Sequence, residues 1–280
     1  MIDIFKLQPE WVEDDDRKHR QVLVPSHEKS GPSLSYNINP EFMYHRHRVM
    51  LPPELIKGKT ILDVGSCMGA TGAWCLANGS SHYTGIEQLE RYVTPSNKLF
   101  KKYYQSDQYE IIHTSIDTFV SDKKYDIVVA SGMLYAVFDS FCFIKKITEL
   151  AKETIIIDTV HPFNGYRRLF PEASDEDRKR VSKTLSIVQP SERIRMQGVN
   201  ANGSVRITAS IVSLQALILL MKNNKFSYDS KLYDLAEKEI PYYYNITVHN
   251  RYMAKFFPQE TIDNSNQEIA VQWNGNSIKK

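Results

Sequence analysis

Residues 60–72, TILDVGSCMGATG, constrain the fold of this chain more than any other segment. A β-branched, apolar run ends at Asp63, Gly65 and Gly69 follow, and an alanine-rich amphipathic stretch comes next. Because glycine has no Cβ atom, the chain can bend sharply at these positions and its amides can face a ligand. This order of strand, glycine turn and helix lets a backbone approach a nucleotide-like ligand closely.

A second acid, Glu87, closes the next strand-like run, HYTGIE, 24 residues beyond Asp63. At the end of a strand in a βαβ unit, a carboxylate can accept hydrogen bonds from both ribose hydroxyls of an adenosine. A glycine turn alone could merely join a strand to a helix. The spacing to Glu87 favours a pocket for an adenosine-containing cofactor at the carboxyl ends of parallel strands.

The segments that follow alternate between strand-like and helix-like patterns. The predicted strands lie near 60–65, 83–87, 109–113, 126–130 and 154–159. Predicted helices lie near 41–51, 70–78, 90–104 and 139–151, the first of them stopped by Pro52-Pro53. Such alternation indicates βαβ units and a mostly parallel sheet with helices on both faces.

Residues 160–209 break this alternation, and Ser174 before an acidic turn predicts a helix start within them. We interpret them as a cap insertion after the fifth strand. Residues 211–223 predict an apolar helix, and segments near 226–234 and 244–257 predict a closing antiparallel pair. The whole pattern predicts an α/β fold with a seven-stranded, mostly parallel sheet and an antiparallel last strand.

These patterns divide the chain into four predicted parts. They are an N-terminal arm or lid (1–52), a cofactor-binding domain (53–159 and 210–260), a cap that binds the acceptor (160–209) and a polar tail (261–280).

The composition indicates the cellular environment of the chain but does not identify a binding partner. No apolar run reaches the ~18–20 residues that span a bilayer, and the three cysteines have no metal-ligand spacing, so we expect a reduced, cytoplasmic protein without membrane contact or bound metal. A net charge of +2 does not by itself imply nucleic acid. The basic clusters at 45–48, 167–168 and 178–180 are interpreted as solvated faces or helix ends. The oligomeric state stays open.

Taken together, the motifs resemble those of the class I S-adenosylmethionine-dependent methyltransferases. In that family an acid precedes alternating glycines, and Cys67 stands here at the middle glycine. The likeness extends through Glu87, YEIIHTSID (109–117) and YDIVVASGMLY (125–135). It implies a Rossmann-like fold with S-adenosyl-L-methionine as the cofactor. The donor-binding residues that it implies are Asp63, Gly65, Cys67, Gly69, Glu87, Ser115, Ile116 and Ser131.

A nicotinamide-dependent dehydrogenase is the competing interpretation, because it also uses a glycine turn and a ribose-binding acid. Its fingerprint requires G-x-G-x-x-G directly after the strand. Gly65, Cys67 and Ala70 depart from it at two of the three glycine positions. The sequence therefore favours the sulfonium cofactor.

A narrower resemblance points to the transferases that carboxymethylate a tRNA wobble uridine with carboxy-S-adenosylmethionine. It is carried by residues 29–52, GMLYAV (132–137), the 211–226 helix and NRYMAKF (250–256). By this resemblance Lys29, Tyr135 and Arg251 would hold the extra carboxylate, and a planar arginine suits that role. Alternatively, Tyr135 packs or stacks on the cofactor, Lys29 is solvated, and Arg251 pairs with an acid.

Candidates for acceptor chemistry follow the fourth and fifth strands. His161 is the best-placed neutral base, Asp158 could orient it, and Tyr135 could position the acceptor. Tyr166, Arg167 and Arg168 could recognise an anionic acceptor or a phosphate. The acceptor, a small metabolite or a tRNA nucleoside, is left open. So is a non-catalytic protein that binds the cofactor for regulation.

Overall fold

The structure is a computed structural model that describes residues 1–8, 11, 40–137, 139–160, 162, 172–184, 187–191, 207–240 and 251–259. Its helices are α1 (Ile4–Leu7), α2 (Pro40–Met50), α3 (Pro53–Ile56), α4 (Ala70–Ala77), α5 (Glu90–Tyr103), α6 (Ser140–Leu150), α7 (Asp175–Thr184), α8 (Leu214–Asn223) and α9 (Lys231–Glu239). Its strands are β1 (Thr60–Val64), β2 (His82–Glu87), β3 (Tyr109–His113), β4 (Tyr125–Ser131), β5 (Ala151–Val160), β6 (Ile187–Ser191), β7 (Ile207–Ile211), β8 (Phe226–Asp229) and β9 (Arg251–Pro258).

Seven strands form one sheet in the order β3-β2-β1-β4-β5-β9-β8. The pairs from β3 through β5 are parallel, and β9 runs antiparallel to both β5 and β8. This confirms the predicted seven-stranded, mostly parallel sheet. The strand order reverses between β1 and β4, and ligands of such sheets bind at the carboxyl ends of the strands beside this point.

Apolar side chains cover both faces of the sheet. Along β1, Ile61 and Leu62 are both fully buried but belong to different core clusters, because successive side chains of a strand point to opposite faces. The cluster around Ile61 includes Trp74 of α4 and Phe100 of α5. The cluster around Leu62 includes residues of α6 and α8. The prediction of helices on both faces is therefore confirmed.

The N-terminal helices pack on the first of these clusters. Phe5 of α1 is fully buried and stacks on Trp74 with ring centroids 6.2 Å apart. The Trp74 Nε1 donates a 2.8 Å hydrogen bond to the Leu51 carbonyl, just after α2 ends. The following Pro52-Pro53 pair stops α2, as predicted, because proline cannot donate to the helical hydrogen-bond ladder. Phe5 and Leu51, both fully buried, thus join the segment before β1 to the core that supports the sheet.

The structure corrects two element boundaries. The helix predicted over 211–223 begins at Leu214, because β7 continues to Ile211 and the Ser213 hydroxyl accepts from the Ala216 amide at the helix start. The strand predicted over 226–234 ends at Asp229, and a helix, α9, begins at Lys231. In α9 the buried Leu232, Tyr233 and Ala236 follow helical spacing, which overrides the strand-like composition.

Within the segment predicted as a cap, α7 begins as predicted after Ser174, whose hydroxyl accepts from the Asp177 amide at 3.1 Å. β6 and β7 pair antiparallel in a separate two-stranded sheet. Among the described residues of the whole chain, no helix has the length and apolar character needed to cross a bilayer.

Candidate functional site

The glycine turn, residues 65–69, joins the carboxyl end of β1 to α4. Gly65 and Gly69 adopt positive φ angles of 74° and 86°. Cys67 between them also has a positive φ, 52°, in the left-handed region where a residue with a Cβ is uncommon. The turn therefore has at Cys67 a conformation that glycine adopts more easily.

Glu87, at the end of β2, holds this turn in place. One of its carboxylate oxygens accepts a 2.9 Å hydrogen bond from the Cys67 amide, and the other accepts a 2.8 Å bond from the Leu89 amide. The residue is 7% exposed. Two amides therefore fix the position of a buried carboxylate directly beside the glycine turn.

Asp63, at the end of β1, lies beneath the turn and is 3% exposed. Its carboxylate accepts a 2.9 Å hydrogen bond from the Tyr83 hydroxyl. Burial raises the pKa of Asp63 to about 7, although the Tyr83 hydrogen bond and the charge of Arg46 act in the opposite direction. Near neutral pH this carboxyl therefore exists in both its charged and its neutral form.

The glycine turn is closely packed on both sides. A Cβ at Gly65 would collide with the Met133 side chain, and one at Gly69 would collide with the Phe100 ring. The Phe100 ring is fully buried and stacks on Tyr83, so it cannot easily shift. Met133 ends in a flexible thioether, so the face of the turn towards β4 can adjust to a ligand.

A second cluster of charged groups lies at the carboxyl ends of β4 and β5. Asp158, with no exposed surface, accepts from the Nε and Nη2 of Arg251 at 3.1 and 2.9 Å through one oxygen. Its other oxygen accepts from the Nε and Nη2 of Arg46 at 3.2 and 2.5 Å. The Ser131 hydroxyl donates to the same oxygen at 3.0 Å and accepts from Arg46. We name these four residues the arginine cluster.

The pKa of Asp158 in the arginine cluster shifts in the opposite direction from that of Asp63. Burial acts to raise the pKa of Asp158, but the charges of Arg251 and Arg46 outweigh it and hold that pKa below its ordinary value. The Asp158 carboxylate is therefore charged at neutral pH, between two cations.

Tyr135 follows β4 and borders the arginine cluster. The guanidinium carbon of Arg251 lies 5.7 Å from the centroid of the Tyr135 ring, within the range of a cation–π interaction. The Tyr135 hydroxyl would come within 3.3 Å of a Cβ at Gly132, which adopts a positive φ of 74°. Two of the three residues predicted to hold a donor carboxylate, Tyr135 and Arg251, are therefore neighbours.

Ser115 and Ile116 lie beyond the carboxyl end of β3, on the other side of β2 from the glycine turn. Ser115 takes part in a local turn, in which its hydroxyl lies 3.0 Å from that of Thr118. Ile116 is 5% exposed and joins the core cluster that contains Leu62 and Ile86. An apolar side chain and a hydroxyl thus lie beyond this end of the sheet.

Sequence reasoning missed Arg46. The basic cluster at 45–48 was expected to be a solvated face or helix end, and the structure shows that this is wrong for Arg46 and His47. His47 is fully buried, its Nδ1 lies 2.7 Å from the Met43 carbonyl, and burial lowers its pKa to about 3, so it is neutral. The Arg46 side chain is 13% exposed and reaches Asp158, 112 residues along the chain. The available signal was spacing: Arg46 precedes the apolar Val49 and Met50 by three and four positions, which places all three on one face of the predicted helix.

The structure also assigns Asp158 partners other than the one expected. It was predicted to orient His161 or to cap its strand, whereas its carboxylate contacts Arg46, Arg251 and Ser131. Ser131, predicted at the donor site, belongs to the arginine cluster. The remaining predicted site residues lie outside the described part of the chain; they are His161, Lys29, Tyr166, Arg167 and Arg168.

Comparison with known proteins supports the fold. Neither a protein-family model nor a curated protein sequence matches the chain. Solved structures do match it. Magnesium protoporphyrin IX methyltransferase from Synechocystis PCC 6803, solved with bound SAH, superposes with a TM-score of 0.54 at 11% identity, over 87% of this chain and 94% of that one.

Two further structures agree. A Listeria monocytogenes protein assigned as an S-adenosylmethionine-dependent methyltransferase gives a TM-score of 0.52 at 16% identity, over 78% of this chain and 98% of that chain. An S-adenosylmethionine-dependent methyltransferase from Mesorhizobium loti gives 0.50 at 14% identity, over 78% and 97%. At such low identities these similarities establish a common fold, and the predicted Rossmann-like fold is confirmed.

Proposed function

We propose that this protein is an S-adenosylmethionine-dependent methyltransferase. The observation that carries the proposal is the buried Glu87 carboxylate, fixed at the end of β2 by the amides of Cys67 and Leu89 beside a left-handed glycine turn. The fold is shared with a methyltransferase solved with bound SAH and with an S-adenosylmethionine-dependent methyltransferase, which adds support. The same sheet and turn are compatible with the domain division expected from the sequence, in which residues 53–159 and 210–260 form the domain that binds the donor.

The residues at this edge fit the donor chemically. A carboxylate has lone pairs beyond those that accept from two amides, so Glu87 can also accept from the ribose hydroxyls. Asp63 can accept from the ammonium of the methionine part, and the donor would then favour its charged form. Ser115 and Ile116 can border the adenine. The backbone at Gly65, Cys67 and Gly69 carries no bulky side chain, so it can approach the rest of the donor closely.

When bound, the donor supplies an activated methyl group on a sulfonium. The acceptor atom forms a bond to the methyl carbon while the carbon–sulfur bond breaks and its electron pair passes to sulfur. The protein must align these atoms, since alignment is the main requirement of such a transfer. Tyr135 can position the acceptor through its hydroxyl. His161 remains our prediction for the base that takes any proton the acceptor loses.

The acceptor is a small metabolite or a tRNA nucleoside, and the cap (160–209) with the N-terminal arm (1–52) would form its pocket. Tyr166, Arg167 and Arg168 remain candidates for acceptor binding. The position of Arg46 at the ends of β4 and β5 supports the participation of the segment before β1.

Carboxymethyl transfer from the carboxylated donor is the second candidate, and the Arg251–Tyr135 contact favours it. Arg251→Ala should then weaken the binding of the carboxylated donor much more than the binding of S-adenosylmethionine. An equal loss for both donors would reject this candidate, as would an unchanged affinity for the carboxylated one. A non-catalytic regulatory protein is distinguished by donor binding without transfer to any acceptor.

Calorimetric titration of the full chain with S-adenosylmethionine, the carboxylated donor and NAD tests the proposed function. We expect both sulfonium compounds or one of them to bind and NAD not to bind. Glu87→Ala should weaken binding by more than about tenfold, because it removes two ribose hydrogen bonds and loosens the turn. Glu90→Ala is the matched control, since Glu90 is an exposed acid three residues further on. Absence of binding by any sulfonium would falsify the proposal.

A further inference from the structure

His47, on α2, carries its hydrogen on one fixed nitrogen of the ring. The Nδ1 atom lies 2.7 Å from the Met43 carbonyl oxygen, which can only accept, so Nδ1 must be the protonated nitrogen. The ring is fully buried, and burial lowers its pKa to about 3, so it is neutral. A neutral imidazole has one N–H group, and the Nε2 atom of His47 is therefore a hydrogen-bond acceptor.

The Thr71 hydroxyl, in the first turn of α4, lies 3.3 Å from this Nε2 atom. Because Nε2 has no hydrogen, the hydroxyl must donate its own proton to form the bond. Thr71 is 8% exposed, so water has little access to this contact. The bond joins α2 to the helix that follows the glycine turn.

The Asp63 carboxyl competes for the same hydroxyl proton. Thr71 also interacts with Asp63, and this interaction acts to lower the pKa of Asp63. One oxygen of Asp63 already accepts from the Tyr83 hydroxyl at 2.9 Å. Since a hydroxyl has a single hydrogen, Thr71 can donate either to His47 or to a charged Asp63.

The protonation state of Asp63 decides which hydrogen bond forms. A neutral Asp63 can itself donate to the Thr71 oxygen, while the Thr71 proton stays with His47, so all three groups have partners. A charged Asp63 can only accept, and it attracts the Thr71 proton more strongly than a neutral imidazole does. The Nε2 atom of His47 then loses its donor inside the core, which opposes the change.

The proposed donor selects one of these two arrangements. Asp63 is proposed to accept from the ammonium of the methionine part, and a cation beside a carboxyl favours its charged form. We infer that Thr71 is a positioning residue for the donor, whose hydroxyl turns from His47 to Asp63 when the donor binds; this inference rests on the proposed function. His47 holds the hydroxyl away from Asp63 in the free chain, so it opposes donor binding through Thr71.

Other charged or titratable groups also face these two side chains. Asp63 is faced by Tyr83 and Glu87 of β2, Arg46 of α2 and Cys75 of α4, and His47 is faced by Arg46 and Asp158. Burial raises the pKa values of Tyr83 and Cys75 well above their ordinary values, so both stay neutral near pH 7. The Glu87 carboxylate accepts from the amides of Cys67 and Leu89 and not from Thr71.

The test is a calorimetric titration of the full chain with S-adenosylhomocysteine, repeated at several pH values between about 5.5 and 8. The affinity should rise with pH as Asp63 loses its proton, and it should level off above the pKa of Asp63 in the free chain, about 7. The pH at which the affinity reaches half of its limiting value, the midpoint, reports that pKa. A general loss of stability does not move this midpoint.

Two substitutions should move the midpoint in opposite directions. Thr71→Val keeps the shape of the side chain but removes the hydroxyl, so the midpoint should rise by about half a pH unit or more. Thr71→Ser should restore most of the original value. His47→Phe should lower the midpoint by a similar amount, because the Thr71 proton is then left to Asp63 alone. If either variant does not fold, Thr71→Ala and His47→Leu remove the same groups.

Thr60→Val is the matched control. The Thr60 hydroxyl also donates to an aspartate, Asp126, at 2.9 Å, but at the opposite end of β1 from the glycine turn. Valine at this position keeps the β-branched shape and removes the hydroxyl in the same way. The midpoint should therefore change by less than about 0.2 pH units.

Shifts of the same sign in Thr71→Val and His47→Phe would overturn the inference, as would the absence of a shift in either one. A shift in Thr60→Val as large as that in Thr71→Val would also overturn it. So would an affinity of the unaltered chain that does not depend on pH, because the ligand would then not select the charged Asp63. Failure of S-adenosylhomocysteine to bind the unaltered chain at any pH would instead reject the proposed function, so the two failures are distinguishable.

Discussion

Asp63 and Asp158 are buried aspartates at the carboxyl ends of two strands of the same sheet, yet their environments act in opposite directions. Asp63 has a tyrosine hydroxyl as its close partner, and burial raises its pKa to about 7. Asp158 lies between two arginines, which hold its pKa below the ordinary value despite complete burial. Similar burial thus goes with a raised pKa for Asp63 on the proposed donor side and a lowered pKa for Asp158 on the proposed acceptor side.

The difference shows that the neighbours of a buried carboxyl determine its charge. On the donor side, a carboxyl that can change its charge suits a ligand that brings its own cation. On the proposed acceptor side, the Asp158 carboxylate orders the side chains of Arg46 and Arg251. The variants below alter one side at a time.

The largest effect is expected from removing the anion of the arginine cluster. Asp158→Asn leaves two nearly buried cations without their carboxylate, which should lower the free energy of unfolding by about 3–5 kcal/mol at pH 7. The deficit should shrink as the pH falls below about 4, because a group with a depressed pKa loses its stabilising contribution there. Urea unfolding across this pH range measures both.

Glu239→Gln is the control for that experiment, because it breaks the half-exposed Arg48 pair and should cost less than about 1 kcal/mol. A loss in Asp158→Asn no larger than the control's would mean that the arginine cluster contributes no more than a surface ion pair. The two aspartates would then not differ as described.

Asp63→Asn should raise the free energy of unfolding, whereas Asp158→Asn lowers it. The pKa of Asp63 is raised on folding from 3.8 to about 7, so its ionisation costs stability as the pH rises through this window. Asparagine keeps an acceptor for Tyr83 and carries no charge. At pH 8 the variant should therefore unfold with a free energy higher by up to about 4 kcal/mol, and the gain should vanish near pH 4.

Tyr83→Phe sharpens this prediction, because it removes the hydrogen bond that lowers the Asp63 pKa and should move the loss of stability to higher pH. A stability gain in Asp63→Asn that does not change between pH 4 and 8 would contradict the assignment. Asp63→Asn should at the same time weaken the binding of S-adenosylhomocysteine, since the ammonium of that ligand loses a charged partner.

The smallest effect is expected at Cys67. Cys67→Gly removes left-handed strain of about 1–2 kcal/mol, but the greater conformational freedom of glycine favours the unfolded chain by about 0.5–1 kcal/mol. The net change in the free energy of unfolding should therefore stay within about 1.5 kcal/mol. Donor affinity should change by less than about tenfold, because Glu87 already holds the amide. A much larger loss of affinity would show that the thiol itself contacts the donor.

Local sequence patterns predicted the sheet because its strands are β-branched runs bounded by glycine and polar turns, as at 60–65 and 83–87. They failed at 231–234, where the helical spacing of Leu232, Tyr233 and Ala236 decides the structure. They also placed Asp63 and Glu87 beside the glycine turn, since both end neighbouring parallel strands.

The arginine cluster could not be predicted in the same way. Arg46 and Asp158 are 112 residues apart, and Arg251 and Asp158 are 93 apart. Arg46 was expected to be solvated, because only the packing of α2 and the antiparallel pairing of β9 with β5 bring these residues together. Tyr135 and Arg251 were named from a resemblance, and their contact depends on the same long-range pairing.

The most direct test of the central claim, a sulfonium donor bound between the glycine turn and Glu87, is an amide NMR titration of the full chain with S-adenosylhomocysteine. The amides of Cys67 and Leu89 donate to Glu87, so they should report any ligand that reaches its carboxylate. We expect saturable shifts centred on Gly65, Cys67, Gly69 and Leu89, which Glu87→Ala abolishes. Saturable shifts centred elsewhere, or none at all, would contradict the account.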